Sequence, residues 1–192
     1  MKKEKNYLYR VLRVIYTVLI RILFRPTVYG KENIPDEGPI IFAGNHIHAF
    51  DPIVVMSSTK RIVHYMAKDE LFKGIHGWLF KKIGLIQIHR DRKNPVAVLE
   101  AESILKNGGT VGIFPEGTRN KTQDELLPFK KGAVLIAQRT NSKIVPFALK
   151  GKYKLFRKGI ILEFGKPIEV FNLEKEEAND ELKEEVLELI RK

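Results

Sequence analysis

The stretch Asn45-His46-Ile47-His48-Ala49-Phe50-Asp51, followed at once by Pro52, puts an imidazole and a carboxylate five positions apart. Such a pair could serve catalysis, and together with His48 it could hold a zinc ion. The two cannot share one helix face, where neighbours sit three or four positions apart. They straddle an element boundary instead. Upstream, Pro39-Ile40-Ile41-Phe42-Ala43 is a short apolar run that reads as a buried strand ending at Gly44. Downstream, Asp51 before Pro52 has the form of a helix start, with Asp as N-cap and Pro at the first helical position. His46 is therefore expected in a loop leaving a strand, and Asp51 where that loop becomes a helix. Strand exits are favoured places for chemistry in α/β folds. A purely structural reading stands beside this one, with Asp51 only a cap and His46 an ordinary loop histidine. The chain has no cysteine and no second His/Glu pair at ligand spacing, which counts against zinc.

Three further polar groups follow apolar runs. Lys68 comes after the run 62–66, with Arg90 and Arg92 beyond the next one. Glu116-Gly117-Thr118-Arg119 comes after the run 110–114, and Lys130-Lys131-Gly132 opens a helical stretch. Arginine suits phosphate because its planar fork donates two parallel hydrogen bonds. Gly117 lets the backbone turn close to a ligand. Each cation taken singly is an ordinary solvated charge. Their repeated placement behind apolar strands points to a site that handles phosphate.

The elements that must position these groups alternate along the chain. Strands are expected at 27–30, 39–43, 62–66, 84–88, 110–114, 144–149 and 159–164. Helices are expected from 52, over 68–80, over 95–105 behind an Asn94 cap, over 133–139, and from 174 onward as an acidic amphipathic tail. This pattern predicts an α/β fold, a single layered domain with a mixed, largely parallel sheet flanked by helices. At 192 residues one domain with a proper core is expected, and no Gly/Ser-rich linker, repeat or low-complexity tract divides the chain.

Ahead of it, residues 3–25 read as an amphipathic helix, which divides the chain into a helix over 1–25 and a catalytic domain over 26–192. Lys3, Asn6, Arg10, Arg13, Thr17 and Arg21 share one narrow stripe, and the rest is a very wide apolar face. The apolar run 14–20 is far shorter than the roughly 20 residues that span a bilayer. A basic stripe beside such a face suits a helix lying in a membrane interface of anionic lipids. The alternative is a helix packed on the protein's own core or on a second copy. The net charge of +11 calls for anionic partners, and it is uneven, with +7 in residues 1–31 and −4 in residues 172–192. The cations are not interleaved with stacking aromatics, and no nucleic-acid module is recognisable, so nucleic acid is not the expected partner.

The chain resembles the glycerolipid acyltransferase family, and within it the bacterial 1-acylglycerol-3-phosphate acyltransferases. Its His-x4-Asp block is matched by Asn45 to Asp51, and a second block resembles Lys68-Asp69-Glu70-Leu71 through Ile88-His89-Arg90. The third block is matched by Phe114-Pro115-Glu116-Gly117-Thr118-Arg119 and the fourth by Ile144-Val145-Pro146. The first block alone is a weak signal; with the third downstream it is highly specific. The resemblance implies acyl transfer from a thioester, on coenzyme A or acyl carrier protein, to the sn-2 hydroxyl of 1-acylglycerol 3-phosphate, without any other cofactor or metal. Glycerol 3-phosphate or another lysolipid is the alternative acceptor. The resemblance further implies that His46 is the general base and Asp51 orients it. Glu116, Gly117, Thr118 and Arg119 would bind the acceptor, with Arg90 and Lys68 as further candidates and Asn45 positioning the loop. It implies a peripheral enzyme on the cytoplasmic face of the membrane. The chain departs from the family at two positions: His48 replaces a small polar residue and His89 an acidic one.

Overall fold

The computed structural model describes residues 6–89 and 94–192 of the chain, without the side chains of Ile75 and His76. Its elements run α1 (Tyr7–Leu23), β1 (Thr27–Tyr29), β2 (Ile40–Gly44), α2 (Asp51–Ser58), β3 (Val63–Lys68), α3 (Gly74–Lys82) and β4 (Ile86–Ile88). They continue with α4 (Pro95–Lys106), β5 (Thr110–Ile113), α5 (Gly132–Thr140), β6 (Lys143–Gly151), β7 (Ile160–Phe164) and α6 (Lys175–Arg191). The strands form one seven-stranded sheet in the order β1-β7-β6-β2-β5-β3-β4. From β6 to β4 all neighbours are parallel, whereas β7 is antiparallel to β6 and carries β1 parallel to itself. The sheet is mixed and largely parallel, as the alternation of strands and helices requires, because parallel neighbours need a crossover and a helix supplies it.

Middle strand β2 is buried along its whole length and feeds two cores. Ile41 and Ala43 pack with Ala97, Ala101 and Leu105 of α4 and with buried residues of α5 and α6. Ile40 and Phe42 enter the other core with Val54 and Val55 of α2 and with Ile20 and Phe24 at the end of α1. Successive side chains of a strand point to opposite faces, so an uninterrupted apolar run is what a doubly covered strand needs. Parallel neighbours β2, β5, β3 and β4 also finish at a common edge, and the candidate site residues among the described ones lie at or beyond it.

The structure breaks the helix expected over 68–80. Asp69–Phe72 is a separate 3-10 turn, and α3 starts only at Gly74. Lys73 is extended and Gly74 takes the left-handed φ of +68°, which interrupts the hydrogen-bond ladder.

Helix α1 has three sides. Asn6 caps it, accepting from the Tyr9 amide at 2.9 Å. Tyr9 and Ile20 are buried against the domain, and the Tyr9 hydroxyl accepts the Val63 amide at 3.0 Å. Arg13 on the basic stripe donates to the Thr59 carbonyl at 2.5 Å. Away from these contacts Tyr7, Val11, Val14, Ile15, Val18, Leu19 and Ile22 stay exposed. Packing on the protein's own core therefore accounts for one apolar side and leaves a second one open. Among the described residues no helix is long and apolar enough to cross a membrane.

Candidate active site

Strand β2 ends at Gly44, and the chain folds back on itself before α2. His46 Nδ1 comes to 2.8 Å from Asp51 Oδ2. The same oxygen accepts the amides of Ile47 and His48, each at 2.7 Å. Asp51 Oδ1 accepts the Tyr153 hydroxyl at 2.6 Å, and no side-chain surface of Asp51 reaches solvent. Asp51 is thus not the N-cap that the sequence suggests. Phe50 occupies that position, and Asp51 is the first residue of α2 with Pro52 behind it. Its carboxylate makes no cap bond because two loop amides, an imidazole and a phenol offer it four donors from the other direction. The positive end of the α2 dipole lies beside it as well. His46 is further held on its face, where Phe114 stacks with ring centroids 4.1 Å apart. An imidazole that donates Nδ1–H to a carboxylate presents its Nε2 lone pair outward, as a proton acceptor.

The loop after β5 grips the His46 backbone from both sides. Glu116 is buried, its Oε1 accepting the His46 amide at 2.6 Å and its Oε2 the Leu127 amide at 2.9 Å. In return the Asn120 amide donates to the His46 carbonyl at 2.7 Å. Burial pushes the Glu116 carboxyl above the usual range, and the Leu127 and His46 amides pull the other way. Gly117 has a left-handed φ of +68° and closes a turn onto the Phe114 carbonyl at 2.9 Å. A Cβ at Gly117 would stand 2.9 Å from Lys130 Nζ, so Lys130 lies against this turn. Thr118 and Arg119 are exposed beside it. Asn45 exchanges two hydrogen bonds with the Leu149 backbone, at 2.9 and 2.7 Å, which carries the β2–β6 pairing one step past its last rung.

Other predicted residues spread further along the same edge. Lys68 ends β3, with Glu70 3.6 Å away. Arg90 and Arg92 lie outside the described residues. Next to them, His89 Nδ1 is 2.9 Å from Asp69 Oδ2. Asn94 sits at the N-cap position of α4 as expected, yet its side chain makes no cap bond and pairs with both backbone groups of His89, at 2.7 and 2.6 Å. His48, the other departure, stacks on Tyr153 at 4.3 Å and accepts the Phe50 amide at 3.3 Å. Among the described residues no three His, Asp or Glu side chains are grouped to hold a metal. A cavity of about 1150 Å³ opens at the opposite edge of the sheet, lined by Pro35, Arg61 and Gly108 among others, and contains none of these groups.

A model of the family described as Acyltransferase matches residues 25–150. The chain belongs to this family. It is 37% identical over 147 residues to the 1-acyl-sn-glycerol-3-phosphate acyltransferase of Bacillus subtilis, an overlap of 73% of this chain and 72% of that one. It is 34% identical over 141 residues to the protein of the same name from Borreliella burgdorferi, with 72% of this chain and 56% of that one covered. The crystal structure of the 1-acyl-sn-glycerophosphate acyltransferase PlsC from Thermotoga maritima matches with a TM-score of 0.72 at 26% identity, over 96% of this chain and 77% of that one.

The acyltransferase segment contains the His46–Asp51 pair and the Glu116 clamp, but Tyr153 lies just past its end. Sequence reasoning missed Tyr153 altogether. It sits in Lys152-Tyr153-Lys154, where no spacing connects it to a heptad a hundred residues earlier. Burial, and then the nearby Asp51 charge, push its phenol far above the usual range, so it remains a donor. Phe114 was visible as part of a motif, but its place against the His46 ring was not. In an acyltransferase the arrangement has what a two-residue general base needs, and it requires no nucleophile from the protein.

Proposed function

We propose that the protein transfers an acyl chain from an acyl thioester, on coenzyme A or acyl carrier protein, to the sn-2 hydroxyl of 1-acyl-sn-glycerol 3-phosphate. The products are phosphatidate and the free thiol. His46 Nε2 takes the hydroxyl proton as the oxygen attacks the thioester carbonyl, and Asp51 steadies the imidazolium that forms. Collapse of the tetrahedral intermediate breaks the C–S bond, and the sulfur leaves with the proton that His46 returns. Arg119, with Lys68 and Arg90, binds the phosphate of the acceptor. Gly117 and Thr118 shape that loop, while Glu116 and Asn45 hold the base in register. The observation that carries the reading is the buried Glu116 bond to the His46 amide, which couples the two family blocks into one site.

A lipid acceptor has to be met at a membrane. Helix α1 lies on the surface of an anionic bilayer through its exposed apolar stripe, and the enzyme works as a peripheral protein on the cytoplasmic face, where acyl thioesters are made. The test is an acyl-transfer assay with purified protein, both donors, and 1-acylglycerol 3-phosphate in competition with glycerol 3-phosphate. Phosphatidate should form, and His46→Ala should lose about 10³-fold or more of the rate with its melting temperature retained. Full activity in that variant would sink the mechanism.

A further inference from the structure

We propose that the loop joining β6 to β7, residues 152–159, is a second bilayer-contacting element, which seats Leu155 and Phe156 in an anionic membrane surface while its inner side holds Tyr153 on Asp51. The proposal rests on the reading of α1 as a helix that lies on lipid.

The loop is closed at its base by the Lys152 amide on the Gly159 carbonyl, 2.8 Å, and turned at its tip by the Arg157 amide on the Lys154 carbonyl, 3.3 Å. Leu155 and Phe156 form that tip and are 62% and 59% exposed. Lys152, Lys154, Arg157 and Lys158 surround them, all exposed, and no acidic residue occurs from 144 to 162. Two large apolar side chains ringed by cations fit the boundary between acyl chains and anionic headgroups.

The tip is also anchored in a particular place. Phe156 adopts a φ of +59°, a region aromatic residues rarely enter, and its amide donates to the Leu23 carbonyl at the end of α1. Exposed Ile22, Arg21 and Arg25 adjoin that bond. The loop therefore carries the apolar and basic character of α1 beyond the helix end.

On its inner side the loop belongs to the site. Tyr153 stacks on His48 and packs edge-on against Phe24 at 5.2 Å, with Phe50 6.2 Å away and partly exposed. These rings form a wall between the lipid-facing tip and Asp51.

The experiment sediments the full chain with vesicles of phosphatidylcholine containing phosphatidylglycerol, and with phosphatidylcholine alone. Leu155→Ser combined with Phe156→Asn removes the apolar tip, asparagine being tolerant of the left-handed φ. Lys154→Gln combined with Lys158→Gln removes charge, and Val14→Glu with Val18→Glu disrupts the α1 stripe. Each loop variant should lower partition onto the anionic vesicles about tenfold. Transfer to a water-soluble short-chain acceptor should be unchanged, as should the melting temperature. Undiminished partition in both loop variants, with loss only in the α1 variant, would overturn the loop proposal and leave the helix reading intact. A solution dimer that the tip variant dissociates would assign the patch to a second copy and overturn it too. Loop-dependent vesicle binding by a wild-type protein that transfers no acyl group would instead overturn the proposed function and leave the docking surface standing.

Discussion

Asp51 is a fully buried carboxylate whose two oxygens collect hydrogen bonds from His46, Ile47, His48 and Tyr153. Three of these donors come from the neighbouring loop, and their arrangement follows from a four-residue spacer that lets the chain fold back over the first turn of α2. Tyr153 comes from a distant strand exit and is the adjustable member of the set. Hydrogen bonds to a charged group are worth roughly 1.5–3 kcal/mol, so Tyr153→Phe should lower kcat about tenfold while KM changes little, as steady-state kinetics would show. A larger effect on KM than on kcat would place Tyr153 on the substrate instead. Tyr65 offers a contrast close by. Its hydroxyl is buried and, among the described residues, has no hydrogen-bond partner, although its ring stacks on Phe114 at 5.6 Å. Tyr65→Phe should therefore leave stability unchanged or raise it by up to about 1 kcal/mol in urea unfolding, because no bond is lost and a buried polar group is removed.

Among the elements, the parallel sheet does the gathering. Parallel neighbours β2 and β5 release their loops at one edge, so the His46 loop and the Glu116 loop meet there although seventy residues separate them in the chain. Glu116→Gln would set an amide NH2 against one of two buried backbone donors. Stability should fall by about 1–3 kcal/mol, and kcat by about tenfold or more through a displaced His46. Burial holds the Glu116 carboxyl above its ordinary value, so the folded protein binds that proton more tightly than the unfolded chain does. Its contribution to stability is then fully present below the ordinary value and is lost as pH rises through the raised one. The deficit of Glu116→Gln should accordingly be largest at the acid end of this window and shrink as pH rises, which unfolding at several pH values would measure. Helix starts teach a related lesson. Asp51 and Asn94 both have the sequence form of N-caps, and both give their side chains to loops at the sheet edge instead.

For the molecule as a whole, α1 packs one side onto the domain and leaves an apolar side exposed. It is not a detachable arm, since Ile20 is 3% exposed and shares a core with Val54, Val55 and Phe42. Ile20→Ala should cost about 2–4 kcal/mol of global stability, seen as a shifted urea midpoint with an unchanged slope. A negligible cost would mean that the helix is an independent unit. The order of strands and helices was legible in the sequence because apolar runs, prolines and glycines act over a few residues. Family blocks were legible for the same reason, each being a local string with its chemistry written in residue types. The His46–Asp51 spacing alone was ambiguous, and the Phe114–Arg119 block downstream made the pair legible as half of a site. What joined that pair to Glu116 and Tyr153 could not, because hydrogen bonds between strand exits depend on sheet order, and sheet order is a non-local outcome of which apolar faces cover each other. The exposed stripe of α1 was likewise undecided by its wide apolar face. Only the packing of Tyr9, Ile20 and Phe24 determined which part of that face the domain would use and which part it would leave open.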